Sequence, residues 1–214
     1  MLTKRLESIY NLVDNNAITL DVGCDHGLLS ISLAKNKIVK TAYVSDINKN
    51  ALEMAKKNII KYNIDNVFPY LGNGTAVECI NKINTLIISG MGSENIISIL
   101  NRDKNVLPKT IILCSNNKYD LLRRYLSNIG YYIHKEIIVK DRNKFYISIK
   151  FVKEPTNKKQ NFYIPNCIKD DIFYEYINYS IKKKIQVLIS IPKRCILKRY
   201  KLKKLIKLYK KASK

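Results

Sequence analysis

Apolar positions along the chain follow two periods in turn. Leu2, Leu6, Ile9 and Val13 recur at helical spacing and predict an amphipathic lead-in helix over residues 2–13. Short apolar runs then predict buried strands: ITLDVG (18–23), TAYVSD (41–46), VFPYL (67–71), NTLIISG (84–90) and TIILCSN (110–116). Each run leads into a helical pattern. These are LLSISLAKN (28–36), NKNALEMAKKNIIKYN (48–63) with Ala51, Met54, Ala55, Asn58 and Ile59 along one side, a short TAVECINK (75–82), SENIISILN (93–101) and YDLLRRYLSNIG (119–130). Gly130 is a stop signal for the last of them. YYIHKEIIVK and KFYISIKFVK then flank Asp141-Arg142-Asn143 and predict a hairpin.

Five strand–helix alternations predict an α/β fold, a mostly parallel sheet with helices on both faces. Near-continuous runs such as TLIIS and TIIL fit strands buried on both sides. A closing hairpin inserts an antiparallel strand, as methyltransferase sheets do, so the expected sheet has seven strands and is Rossmann-like. At EPTNKKQN (154–161) the composition turns polar, which predicts a first domain at 1–153, a linker at 154–161 and a second unit at 162–214. In that unit Phe173, Tyr176, Ile177, Ser180 and Ile181 form one helical stripe, with Asp170 and Asp171 at its N-terminal end. Pro192 interrupts the pattern. Ile196, Tyr200, Leu202, Leu205, Ile206 and Tyr209 resume it, which predicts a coiled-coil-like helical hairpin.

Charge changes the picture of that hairpin. The chain has 39 Lys and Arg against 17 Asp and Glu, a formal net charge of +22. An AT-rich genome inflates Lys, and 32 of the 39 are Lys. It supplies Glu as readily, however, and between Tyr176 and Lys214 there are 14 Lys or Arg and no Asp or Glu. A tail of one sign predicts a phosphate-binding surface, hence a nucleic acid, with Lys182, Lys183, Lys184, Arg194, Lys198 and Arg199 as candidate contacts. The five cysteines are scattered without a CxxC pair, so neither a disulfide framework nor a zinc site is expected. The N-terminus has no secretory pattern and no run approaches a membrane span, so a reduced, cytoplasmic protein is expected.

Ligands of open α/β sheets lie at the carboxyl ends of the strands. The loop there after the first strand is Asp21-Val22-Gly23-Cys24-Asp25-His26-Gly27. It is not GxGxxG, and its carboxylates Asp21 and Asp25 suit a cationic ligand better than a pyrophosphate. S-adenosylmethionine (SAM) has an ammonium and a sulfonium and no phosphate. Asp46 ends the second strand, where a carboxylate can accept the ribose hydroxyls. Gly27, Ile47, Gly74 and Gly90 complete the expected cofactor set. In Rossmann-like methyltransferases the residue after the third strand contacts the adenine, which here selects Asn73.

Enzymes that methylate exocyclic amines resemble one another in a D/N-P-P-aromatic segment after the fourth strand. Ser89-Gly90-Met91-Gly92 stands here instead. Cytosine-C5 enzymes need a cysteine nucleophile; Cys114 lacks the companion Pro-Cys and is expected to be a small core residue. LDVGCDHG, SGMGS and LCSN…YDLLRRYLSNIGYYIHKEIIVKDRNKFYISI resemble the bacterial tRNA (adenine-N1) methyltransferases of the TrmK family, over residues 3–152. The trailing hairpin matches that family's C-terminal coiled coil in kind, shorter and more basic. The family usually has Gly-Asp-Gly at 72–74 and Gln-Pro-Asn at 114–116.

The resemblance implies methyl transfer from SAM to N1 of adenine 22 in tRNA, with no metal. Adenine N1 keeps a lone pair near neutral pH, so positioning rather than a strong base would carry catalysis. Asp25 would stabilise the charge passed to the ring, and Asn116 would orient the base edge. His26 is either catalytic or a local hydrogen-bonding residue. Met91 and Gly92 would wall the methyl pocket, and Tyr119 or Tyr146 would stack on an extruded base. A monomer is expected. Two other readings stay open on the sequence: a small-molecule methyltransferase with a compositionally basic tail, and a non-catalytic RNA-binding protein with a relic cofactor site.

Overall fold

The computed structural model describes residues 2–75, 80–154 and 160–213. They divide into two compact units, 1–163 and 164–214. In the first, α1 (Lys4–Tyr10) precedes β1 (Ala17–Val22), α2 (Leu28–Lys35), β2 (Val39–Asp46), α3 (Lys49–Lys61) and β3 (Val67–Leu71). Then come β4 (Thr85–Ser89), α4 (Ser93–Arg102), β5 (Thr110–Cys114), α5 (Tyr119–Asn128), β6 (Tyr132–Asp141) and β7 (Lys144–Val152). The second unit holds α6 (Asp171–Ser190) and α7 (Ile196–Ala212). Of the short helix expected over 75–82, only a single turn at Ile80–Lys82 is seen; residues 76–79 lie outside the described residues, as do 155–159 of the expected linker.

The seven strands form one sheet in the order β3-β2-β1-β4-β5-β7-β6. The first five are parallel, and β7 runs antiparallel between β5 and β6. β4 and β5 are buried along almost their whole length, as strands covered on both faces must be. Pro69 falls on β3, an edge strand, where its missing N–H costs no ladder bond. Arg142 and Asn143 both adopt positive φ (47° and 65°), the backbone that a two-residue hairpin turn demands. The order of strand addition reverses between the parallel neighbours β1 and β4, so the crevice for a ligand opens beyond Val22 and Ser89.

Two stripes differ from the sequence pattern. On α3 the buried residues are Leu52 and Ala55, while Met54 is 41% exposed; the buried stripe is rotated toward Leu52. On α7 only Ile206 and Tyr209 are buried, and Ile196 and Tyr200 stand in solvent. α6 and α7 pack against each other, but their facing stripes close only away from the connecting turn.

The first unit also runs ten residues past the expected boundary. Arg123 on α5 and Glu136 on β6 form a fully buried ion pair, with Nη2–Oε1 at 2.6 Å. The third guanidinium edge donates to the Phe162 carbonyl (3.1 Å). The Arg124 guanidinium lies over the rings of Phe162 and Tyr163, and Gln160 accepts from the Ile133 N–H (2.8 Å). Residues 160–163 are thus tied to α5 and β6, satisfying charges that burial would otherwise make costly.

Candidate active site

Three loops meet at the crevice. In the first, Gly23 adopts φ +71°, a backbone that favours glycine, and a Cβ there would stand 2.3 Å from the Met91 Cε, so the methionine of the neighbouring loop lies directly over it. The Gly23 and Cys24 N–H groups both donate to the Ser45 carbonyl, which pins the loop to β2. Asp25 holds φ +52°, a left-handed backbone that Asp tolerates better than most residues. Its N–H donates to the Asp46 carboxylate (3.3 Å), whose other oxygen accepts from the Asn48 N–H (2.8 Å). The Asp25 side chain itself is 73% exposed, with His26 Nε2 3.5 Å away. Gly27 begins α2, which packs close to Ala55 of α3.

Asp21 is buried beneath this loop. Its carboxylate accepts from Ser30 Oγ (3.4 Å). Burial pushes its pKa up to about 7, the Ser30 bond opposing and the nearby Asp46 charge adding to the rise. Burial also pushes the Cys24 thiol well up, as do the Asp21, Asp46 and Asp25 charges. Burial is the main cause of both shifts, and the neighbouring carboxylate charges of Asp46, and for Cys24 of Asp21 and Asp25, add to it. An ammonium or sulfonium placed beside these carboxylates would offset that contribution.

The edge of the crevice by β2 and β3 is apolar. Ile47 and Leu71 follow one another at the ends of adjacent strands, 72% and 61% exposed. Leu71 was not selected from the sequence, because a strand-end leucine looks like core until its neighbours are known. Asn73 is exposed, and its carbonyl accepts from Arg102 Nη2 (2.8 Å). Arg102 pairs with Asp103, which accepts from the Thr75 N–H (3.2 Å). The end of α4 therefore holds the loop of Asn73 and Gly74. Neither Arg102 nor Asp103 carried a motif that would have revealed this.

The loops after β4 and β5 are laced together. Asn116 donates its amide Nδ2 to the Gly90 carbonyl (2.7 Å) and its N–H to the Met91 carbonyl (2.9 Å). Its Oδ1 accepts from no described residue. Asn117 Oδ1 accepts from the N–H and hydroxyl of Ser93, closing the start of α4 beside Gly92. Buried Ser115 donates to this same network. Tyr119 takes another part than the one expected: its hydroxyl donates to the Ser115 carbonyl (2.7 Å) and accepts from the Ile147 N–H (3.1 Å). Its oxygen is a brace between the end of β5 and β7. Tyr146 packs against the core, with the Arg5 guanidinium over its ring. Cys114 is buried and its pKa is pushed up to about 11 by burial, which suits a core thiol and not a nucleophile.

In the second unit Lys182, Lys183, Arg194 and Lys198 are exposed. Lys184 instead lays its ammonium over the Tyr209 ring, 4.0 Å from the centroid. Arg199 is also diverted: Nη1 donates to the carbonyls of Leu188 (2.8 Å) and Ile191 (2.6 Å), capping the end of α6. A cavity of about 380 Å³ lies at the opposite ends of the strands, among Asp14, Asn84, Lys109, His134 and Glu154, far from these loops. Among the described residues no three His, Cys, Asp or Glu side chains gather to hold a metal, and no helix is long and apolar enough to cross a membrane.

The methyltransferase-domain family matches residues 2–149. The Mycoplasma genitalium protein MG248, provisionally named a tRNA methyltransferase, is 33% identical over 161 residues, 72% of each chain. The chain belongs to this methyltransferase family. The Bacillus subtilis tRNA (adenine(22)-N(1))-methyltransferase is 26% identical to our methyltransferase over 148 residues, 68% of this chain and 62% of that one. The solved structure of M. capricolum TrmK in complex with the cofactor product S-adenosylhomocysteine aligns with all of this methyltransferase and 98% of that chain, at 26% identity and a TM-score of 0.86.

Proposed function

We infer that the chain transfers the methyl group of SAM to N1 of an adenine in tRNA, at position 22. What carries the reading is one contact. Met91 lays its methyl over Gly23 in the carboxylate loop while its carbonyl fixes Asn116 in the other, so a pocket for a cation and an open amide oxygen share one wall. Kinship with the tRNA (adenine(22)-N(1))-methyltransferase of B. subtilis supports the acceptor and its position.

SAM, when bound, supplies an electrophilic methyl on a sulfonium. Asp21 faces the ammonium from below, with Gly23 and Gly27 letting the backbone approach. Asp46, already oriented by two N–H groups, accepts the ribose hydroxyls. Ile47 and Leu71 flank the adenine ring of the cofactor, with Asn73, Gly74 and Gly90 completing the cradle. Asn116 Oδ1 accepts from N6 of the target adenine, which turns N1 toward Met91 and Gly92. No base is needed, since N1 attacks with its own lone pair; positive charge passes to the ring as it leaves sulfur. Asp25, exposed at the mouth, stabilises that charge. His26 serves as its hydrogen-bonding neighbour.

The exposed bases of the hairpin, Lys182, Lys183, Arg194 and Lys198, grip the tRNA backbone, which gives affinity and leaves choice to the pocket. In this reading the enzyme acts as a monomer, in the cytoplasm with its substrate. Primer extension on tRNA treated with enzyme and SAM should stop opposite adenine 22, and mass spectrometry should map one added methyl there. Uninterrupted extension with folded, SAM-binding enzyme would overturn the reading.

A further inference from the structure

α1 lies on the half of the sheet that carries the acceptor loops. Its Ser8 hydroxyl shares a hydrogen bond with Ser148 of β7 (2.7 Å), and the Arg5 N–H donates to Asp141 at the end of β6 (3.3 Å). These bonds aim the Arg5 side chain over the strand ends. Its guanidinium stands 5.6 Å from the centroid of the Tyr146 ring. It also approaches Gly90 so closely that a Cβ there would lie 3.2 Å from Nη1. Its charge reaches the Cys114 thiol at the end of β5. Arg5 is thus set against β4, β5 and β7, on the far side of β4 from the SAM loop.

A guanidinium is always charged and carries five N–H donors. Arg5 is half-buried, yet none of its guanidinium N–H groups donates to a described residue, and none of the described carboxylates pairs with it. Arginines elsewhere in this chain gain an acid or a carbonyl: buried Arg123 pairs with Glu136, exposed Arg102 with Asp103, and Arg199, half-buried as Arg5 is, donates to two carbonyls. The Arg5 side chain is held by packing and by the Tyr146 ring beneath it, with its N–H donors open at the crevice.

We propose that Arg5 is an oxyanion-binding residue of the methyl-transfer site, holding a phosphate of the acceptor nucleotide. The assignment rests on the methyltransferase reading above. A cation against the target ring itself would oppose the charge that the ring acquires, whereas a phosphate neutralises it. A guanidinium fork also matches two phosphate oxygens, and this contact would hold the extruded nucleotide in place. The other oxyanion within the reaction is the methionyl carboxylate of SAM, and the experiment separates the two.

Arg5→Gln and Arg5→Lys are compared with the parent enzyme by calorimetry with SAM, by tRNA-binding titration, by methyl transfer and by thermal melting. With the phosphate as ligand, Arg5→Gln lowers kcat/KM for tRNA by about ten- to hundredfold. SAM affinity stays within about twofold of the parent and melting is unchanged, and Arg5→Lys recovers part of the loss by restoring charge without the fork. A similar fall in SAM affinity, with tRNA binding unchanged, keeps the oxyanion role and moves it to the carboxylate. Arg5→Gln with SAM affinity, tRNA affinity and turnover all unchanged overturns the proposal. So does a uniform fall in melting and activity that Arg5→Lys does not relieve, which is the mark of packing alone. A parent enzyme that binds SAM but methylates no tRNA overturns the proposed function instead; the two affinities still test the anion.

Discussion

The strand-end loops and the helical hairpin hold their polar groups in opposite ways. Around the ends of β1, β2, β4 and β5, side chains are tied to backbone: Asp46 to Asp25 and Asn48, Asn116 to Gly90, Asn117 to Ser93, Tyr119 to Ser115 and Ile147. The hairpin instead gathers 14 Lys or Arg between Tyr176 and Lys214, with no carboxylate side chain among them. Catalysis gains from groups already aimed at the transition state, since no free energy is then spent aligning them. A grip on a phosphate backbone gains from charge density, which tolerates mobile side chains.

The largest effect should come from removing a charge in the pinned region. Asp25→Ala should lower turnover by roughly 10²–10³-fold, the usual cost of losing one aligned electrostatic group. SAM affinity should stay within about threefold, because the Asp25 N–H, and not its side chain, holds Asp46. Methyl incorporation with calorimetry on the same sample checks this. Equal losses in both would place Asp25 with the cofactor.

Next in size is the pH dependence of SAM binding. Asp21 must be ionised to face the ammonium, and its pKa in the free protein stands near 7. SAM affinity should therefore fall by about tenfold per pH unit below 7 and level off above it. Stability without SAM should run the other way. The unfolded chain releases this proton near 3.8 and the folded one near 7, so ionising Asp21 weakens the fold as pH rises across that window. Asp21→Asn should bind SAM more weakly with a flat pH profile. Calorimetry from about pH 5.5 to about pH 8.5, which brackets that pKa, decides it; a parent profile as flat as the variant's would remove Asp21 from the cofactor site.

The same contrast explains what the sequence revealed. Strand and helix order was legible because β1, β4 and β5 are apolar throughout and their helices carry clear punctuation. The placement of the loop Asp21–Gly27 and of Asp46 at strand ends was legible because strand boundaries are local to the sequence. What escaped was anything fixed by a distant partner. Tyr119 looks like a free aromatic until Ile147 is brought beside it, and Arg199 looks like any base of the tail until α6 ends at its guanidinium. Arg102, Asp103 and Leu71 act through neighbours about 29 residues away or on the next strand. The exposure of Ile196 and Tyr200 escaped for a related reason: a helical stripe shows which face is apolar, and not how far along it a partner extends.

Smaller effects should come from the hairpin. Replacing Lys182 and Lys183 together with Gln should weaken tRNA binding by about tenfold near physiological salt, and lower the dependence of log affinity on log salt by roughly 0.8 per lost contact. Turnover at saturating tRNA and SAM affinity should not change. Filter binding across a salt series measures both quantities. A drop in saturated turnover would mean that the hairpin orients the base as well as holding the backbone.

The smallest effect separates two neighbours of equal charge. Lys198 is exposed, whereas Arg199 spends Nη1 on the Leu188 and Ile191 carbonyls. Lys198→Gln should lower the salt slope by roughly 0.8 and leave the hairpin's stability alone. Arg199→Gln should do the reverse: lose about 1 kcal/mol of local stability, the typical net worth of such hydrogen bonds, with the salt slope nearly unchanged. Hydrogen exchange at the end of α6, residues 187–191, reads the first quantity, and tRNA titration reads the second. If both variants lowered the slope alike and exchange stayed the same, the cap would contribute nothing and the hairpin's charges would be interchangeable. If they separate, the basic unit contains one arginine that builds the surface among lysines that use it.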